Sequence, residues 1–253
     1  MTGPQERRSR KTKVAAHTGC GLHPDNTFAS FMEGIQIGAD IVEVDVRTDC
    51  NGVPVLMHDD SPLLDEFSFE QLNEPFMRRR LGSAYEEHEI ATLEQILSAS
   101  APFGTLLNLD LKQPASIAPA VNLIRSFQAQ NRVCITGCSD DITSLYPDIR
   151  VIMNTPDELT PQQVAQYEPF ASSICRKARQ EGYAGLNMNG YTCLPPVVDA
   201  AHREGLLVWV YTINEASHME WFLRMGVDAI TTRAPELLIP LVDEIQGINS
   251  KKQ

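Results

Sequence analysis

Residues 40–58 read DIVEVDVRTDCNGVPVLMH, and this stretch decides the architecture. Ile41, Val42, Val44 and Val46 give the near-continuous β-branched run of a strand covered on both faces. Two carboxylates, Glu43 and Asp45, interrupt it two residues apart, so strand alternation points both to the same face. Burying them together is costly without a cation. The turn signal Cys50-Asn51-Gly52 then leads into VPVLMH, residues 53–58, which predicts a hairpin-like extension rather than a crossover.

Outward from this stretch the same rhythm fills the chain. Strands are predicted near 13–17, 105–111, 132–136, 150–153, 183–187, 206–212 and 228–231, with amphipathic helical segments between most of them. Counted with the hairpin as one unit, they make eight parallel βαβ-type positions. Eight such units in 253 residues predict a single α/β domain, a TIM (β/α)8 barrel over 1–253. Residues 59–91 lack a clean period and read as a small insertion after the second barrel strand. Asn26 or Thr27 is expected to cap the first helix, Thr92 with Glu94 the next, and Gly38, Gly205 and Gly226 to end helices.

Composition narrows the function. The net charge is −12, although residues 1–13 carry five Lys/Arg against one Glu. An acidic body argues against nucleic-acid binding by a basic surface, and it requires any phosphate ligand to bring or find local cations. The basic opening, 1–12, reads as a frayed terminus. It has no apolar core of a signal peptide, and no run of 18 apolar residues predicts a membrane span, so the expected compartment is cytoplasmic. Six cysteines without CxxC spacing are expected to stay reduced. The oligomeric state is left open.

In a TIM barrel the active site lies at the C-terminal ends of the strands. His17 ends the first strand, Glu43 and Asp45 alternate along the second, His58 ends the extension, and Asp110 and Lys112 share a face at the end of the next. Three carboxylates, Glu43, Asp45 and Asp110, make a hard oxygen-donor set suited to Mg²⁺ or Ca²⁺. Two histidines beside such an ion can act as acid and base. His23, His88, His202 and His218 read as structural or exposed.

HTGCGLHPDNTFASF from His17, ADIVEVDVRTDCNGVPVLMHDD from Ala39 and NLDLK from Asn108 together resemble the glycerophosphodiester phosphodiesterase family. Its pattern reads roughly HRG, PENT, GAD.IE.DV, DG.PV..HD and IEIK. VWVYTINEASHMEWFLRMGVDAITT from Val208 resembles that family's ending. The resemblance implies a metal-dependent enzyme that splits a small-molecule glycerophosphodiester into sn-glycerol 3-phosphate and an alcohol. It implies a divalent metal on Glu43, Asp45 and Asp110, catalysis by His17 and His58, and phosphate neutralisation by Lys112.

Four positions depart from the pattern. Thr18 stands where the family has a phosphate-contacting arginine, Asp25 and Asp110 replace glutamates, and Tyr211 replaces a tryptophan. Arg233, just past the last strand, is expected to supply the charge lost at Thr18. Asp25, Thr18, Tyr211 and Arg233 join Lys112 as expected substrate contacts. Two readings compete with this one: the same chemistry on a lysophospholipid or sugar-phosphate diester, and a non-catalytic barrel that binds a phosphorylated ligand. Retention of His17, Glu43, Asp45, His58, Asp110 and Lys112 together favours catalysis.

Overall fold

Each β-branched run becomes a strand whose two faces meet different surroundings. The computed structural model describes residues 11–247. Among them the strands are β1 (Lys13–Ala16), β2 (Ile41–Thr48), β3 (Pro54–Leu56), β4 (Leu106–Leu111), β5 (Val133–Gly137), β6 (Arg150–Asn154), β7 (Gly185–Asn189), β8 (Leu207–Tyr211) and β9 (Ala229–Thr232). They run in the order β1-β9-β8-β7-β6-β5-β4-β2-β3, and β1 also pairs with β2. That pairing closes eight parallel strands into a TIM barrel, while β3 lies antiparallel on β2 as the expected hairpin.

Helices follow in chain order: α1 (Phe28–Gln36), α2 (Pro62–Glu66), α3 (Phe69–Leu72), α4 (Pro75–Leu81), α5 (Leu93–Ser100), α6 (Ile117–Ser126), α7 (Ile142–Leu145), α8 (Pro161–Ala165), α9 (Tyr167–Gln180), α10 (Pro195–Arg203), α11 (Ala216–Met225) and α12 (Pro235–Gly247). None is long and apolar enough to cross a membrane. Thr27 caps α1 through its side chain, whereas Asn26 is recruited elsewhere. Thr92 caps α5 in a box closed by Gln95, not Glu94, because the third helical position is the one whose side chain reaches back to the cap. Between β5 and β6 the crossover shrinks to the single turn of α7.

Outward-facing residues such as Val42, Val44, Leu107, Leu109, Val208 and Val210 are buried beneath the helices in the main core. Inward-facing residues are split by height. Ala15, Ile41, Cys134, Ile152, Trp209 and Ala229 form an apolar plug at the strands' N-terminal ends. One step further along the same strands, Glu43, Asn108, Thr136, Asn154, Asn187 and Thr231 turn into a polar cavity. This step from apolar to polar along one parity places the site at the C-terminal face.

The insertion has a small core of its own. Met57, Leu64, Leu72, Met77, Tyr85 and Ile90 are buried there with Val55 of the hairpin. Residues 1–10 of the stretch expected to fray lie outside the described residues. Thr12, its last residue, is instead buried and anchored: its N–H donates to Gln246 Oε1 at 2.7 Å and its hydroxyl to the Val227 carbonyl at 2.7 Å. The six cysteines are free, Cys20 and Cys50 included.

Candidate active site

β2 and β4 pair in a register that sets Glu43 beside Asn108 and Asp45 beside Asp110. Glu43 and Asp45 are buried, and one carboxylate oxygen from each of Glu43, Asp45 and Asp110 lies within 4.8 Å of the others. Lys112 Nζ donates to Asp45 Oδ1 at 2.8 Å and also to Asp110 Oδ2. Burial, then the charges of Asp45 and Asp110, pushes the Glu43 carboxyl well above its ordinary range. Burial would lower the Lys112 ammonium, but Asp110 and Asp45 outweigh it and hold it charged. One ammonium does not balance three carboxylates, so this donor set fits a hard divalent cation.

His17 closes one side of the cavity. Its Nδ1 lies 2.7 Å from the Thr18 carbonyl and 3.9 Å from Glu43 Oε2. An Nδ1–H donated to that carbonyl leaves Nε2 as the ring's proton acceptor. Burial lowers the imidazole below its ordinary value, the Thr18 carbonyl opposes this, and Arg233 adds to it. His58 also lines the cavity, exposed, with Nδ1 2.7 Å from Asp59 Oδ1. Arg47 on β2 holds its backbone by donating Nε to the His58 carbonyl at 3.0 Å. Both histidines, the three carboxylates, Lys112 and Tyr211 line one cavity of about 320 Å³.

Arg233 and Thr18 take up different positions from one another. Arg233 forms a two-pronged pair with Asp25 and lines a second cavity with His17 and His58. Burial would raise the Asp25 carboxyl, but the hydrogen bonds and charge of Arg233 keep it below its ordinary value. A side chain on Gly19 would collide here, its Cβ 1.8 Å from Asp25 Oδ1, and its φ of +72° also favours glycine. Thr18 is turned inward: its hydroxyl accepts the Asn26 N–H, its own N–H donates to Glu43 Oε2 at 3.2 Å, and it lines neither cavity. Tyr211 donates its hydroxyl to Asp157 Oδ1 at 2.8 Å, and burial followed by this carboxylate raises its pKa.

Sequence reasoning missed several polar residues of these two cavities, Asn26 in the second and the others in the first. Asn26 donates Nδ2 to Asp45 Oδ2 at 2.7 Å and accepts the Asp45 backbone N–H at 3.0 Å, so one amide holds both the carboxylate and the main chain of Asp45. Thr136 donates to Asp110 Oδ1 at 2.8 Å. Asn108, Asn154, Asp157 and Asn187 complete the lining. For Asn108, Thr136 and Asn187 the signal was inward parity on predicted strands, which marks polar residues where barrel filling calls for apolar ones; Asn26 and Asp157 lie in loops and carry no such signal. His202, expected to be structural, sits 2.9 Å from Asp228 and lines neither cavity.

The description "Glycerophosphoryl diester phosphodiesterase family" belongs to a family model that matches residues 17–237. The chain belongs to this family. A glycerophosphodiester phosphodiesterase of Caldanaerobacter subterraneus subsp. tengcongensis is 24% identical over 92% of this chain and 98% of its own length. Another, from Bacillus altitudinis, is 25% identical over 93% and 100%. Among solved structures, a glycerophosphodiester phosphodiesterase from Parabacteroides distasonis superposes with a TM-score of 0.76 at 21% identity, covering 93% of this chain and 98% of that one. A phosphodiesterase from Oleispira antarctica, solved with the product sn-glycerol-3-phosphate, gives 0.74 at 23% identity over 91% and 96%. Both share the barrel.

Proposed function

We propose that this protein hydrolyses a glycerophosphodiester to sn-glycerol 3-phosphate and an alcohol. The observation that carries the reading is convergence: two histidines, three carboxylates and a lysine line one cavity in a member of this family. Glu43, Asp45 and Asp110 would hold a divalent ion, Mg²⁺ or Ca²⁺, and Asn26 and Thr136 keep two of those carboxylates aimed. When bound, such an ion polarises a phosphoryl oxygen and offsets its charge.

The chain's own groups do the rest. His17 is neutral at working pH, and its free Nε2 accepts the proton of the attacking hydroxyl, whether water or a neighbouring hydroxyl of the substrate. As the bond from phosphorus to the leaving oxygen breaks, His58 delivers a proton from Nε2 to that oxygen. Asp59, at Nδ1, orients the ring for this transfer. Lys112 and Arg233 supply positive charge to the phosphate from two sides, and Asp25 holds Arg233 in place. The Tyr211 ring walls the cavity.

Turnover of glycerophosphoethanolamine and of bis(p-nitrophenyl) phosphate, with Mg²⁺ or Ca²⁺ and then with a chelator, tests this. Release of sn-glycerol 3-phosphate that the chelator abolishes and that falls about 10²–10⁴-fold in His17→Ala is expected. No turnover by the metal-loaded protein, or an undiminished rate in His17→Ala, would sink it.

A further inference from the structure

The insertion turns one side chain toward the chemistry. Tyr85 ends a 3₁₀ turn, Ser83–Tyr85, that follows α4, and it belongs to the insertion's small core with Leu72, Met77 and Ile90. Only 8% of the residue is exposed, yet it lines the second cavity, of about 630 Å³, beside His17, His58, Asp25 and Arg233. Among the described residues its hydroxyl has no hydrogen-bond partner, and the oxygen is not one of the sealed, unpartnered side-chain atoms, which are Arg78 Nε and Thr155 Oγ1. It therefore opens on the cavity. Tyr167 and Tyr211, by contrast, donate their hydroxyls to the Thr192 carbonyl at 2.6 Å and to Asp157 at 2.8 Å. A tyrosine as buried as Tyr85 ordinarily has such a partner, so its open oxygen calls for one from a ligand.

Burial, then the charges of Asp45, Asp59 and Asp25, pushes the Tyr85 hydroxyl up to about 12, so it stays protonated at working pH. Those charges reach it, yet none of the three carboxylates accepts its proton. A substrate hydroxyl in this cavity would find acceptors in Asp25, Asp59 and Asp60, whereas a phosphate oxygen can use none of them and needs donors. We propose that Tyr85 is a substrate-contacting residue whose hydroxyl donates a hydrogen bond to a non-bridging phosphate oxygen of the bound diester, beside Arg233. This rests on the phosphodiesterase reading for what the phosphate belongs to. A neutral donor suits the place: a further cation would pair with a carboxylate of the rim, as Arg233 does with Asp25, while a phenol keeps its hydrogen for the ligand. The insertion then carries one phosphate contact onto the barrel.

Tyr85→Phe keeps the ring and removes only the oxygen. Binding of inorganic phosphate to the Mg²⁺-loaded protein, followed by calorimetry, is expected to weaken about tenfold, and kcat/KM for glycerophosphoethanolamine to fall about 10- to 100-fold. Mg²⁺ affinity and the urea midpoint should keep their wild-type values, because the hydroxyl bonds neither Asp45 nor any other described group of the fold. Unchanged phosphate affinity overturns the proposal. A lowered urea midpoint overturns it too, since the hydroxyl would then be bonded within the fold, and so does a weakened Mg²⁺ affinity, since it would then act through Asp45. If phosphate binding weakens as expected while the wild-type protein hydrolyses no diester, the phosphodiesterase reading fails and the phosphate contact stands.

Discussion

At the residue scale the departure at Thr18 has a physical answer. A threonine there cannot grip a phosphate, and its hydroxyl is already spent on the Asn26 N–H inside the loop. In the proposed function Arg233 supplies the missing guanidinium; it lines the second cavity with His17 and His58 and is oriented by Asp25. Arg233→Ala is expected to lower kcat/KM about 10- to 100-fold, the range for losing a charge-assisted pair to an anion. Arg233→Lys should recover only part of this, because an ammonium keeps the charge but not the planar fork. Steady-state kinetics on both variants checks it, and wild-type values for Arg233→Ala would remove Arg233 from the phosphate. The residue-scale reading was legible where a side chain acts from its own strand, as with Glu43 and Asp45. It was not legible for Thr18, whose direction depends on how the loop after β1 folds over β2.

At the element scale, the hairpin β2–β3 and the insertion form one lever on the site. Asp49 is the joint. It is 5% exposed; Oδ1 accepts the N–H of Asn51 at 2.9 Å and of Val53 at 2.8 Å, and Oδ2 accepts the Phe69 N–H at the start of α3 at 2.7 Å. One carboxylate thus closes the hairpin turn and pins the insertion to it. Asp49→Ala leaves three buried or half-buried donors without a partner and is expected to cost about 1–3 kcal/mol. Urea unfolding should show the midpoint falling with little change in slope, and an unmoved midpoint would show that water replaces the carboxylate fully. The hairpin itself was legible from the Cys50-Asn51-Gly52 turn. The helices of the insertion were not, because each is too short to establish a period and is held by capping and by the small core around Leu72 and Met77.

For the molecule as a whole, closure of the barrel buries thiols whose ionisation then opposes folding. Burial pushes the Cys193 thiol from an ordinary 9.0 up to about 12, and burial, followed by the charge of Glu204, pushes Cys175 up to about 11. Between pH 9 and those values the unfolded chain has released protons that the folded protein still holds. Stability therefore falls as pH rises, by about 1.4 kcal/mol per pH unit for each such group. Below pH 8 neither thiol contributes a slope. Cys193→Ala should flatten the loss of stability above pH 9 by about that amount per unit, read from urea midpoints at pH 8, 9 and 10. A slope unchanged by the substitution would mean that the thiol ionises equally in both states.

By itself the sequence determined the alternation of strands and helices, the hairpin after the second barrel strand, and the shared face of Glu43 and Asp45. These follow from periods of two and 3.6 residues and from turn chemistry, which act between near neighbours. Only the tertiary structure decided that Lys112 bridges Asp45 and Asp110, that Asn26 bonds Asp45 instead of capping α1, and that Arg233 meets Asp25 across 208 residues of chain. It also decided that Tyr211 opens onto a second groove lined by Trp221 and Tyr191. Such contacts depend on which strands become neighbours when the barrel closes, and closure is a property of all eight strands together rather than of any one segment.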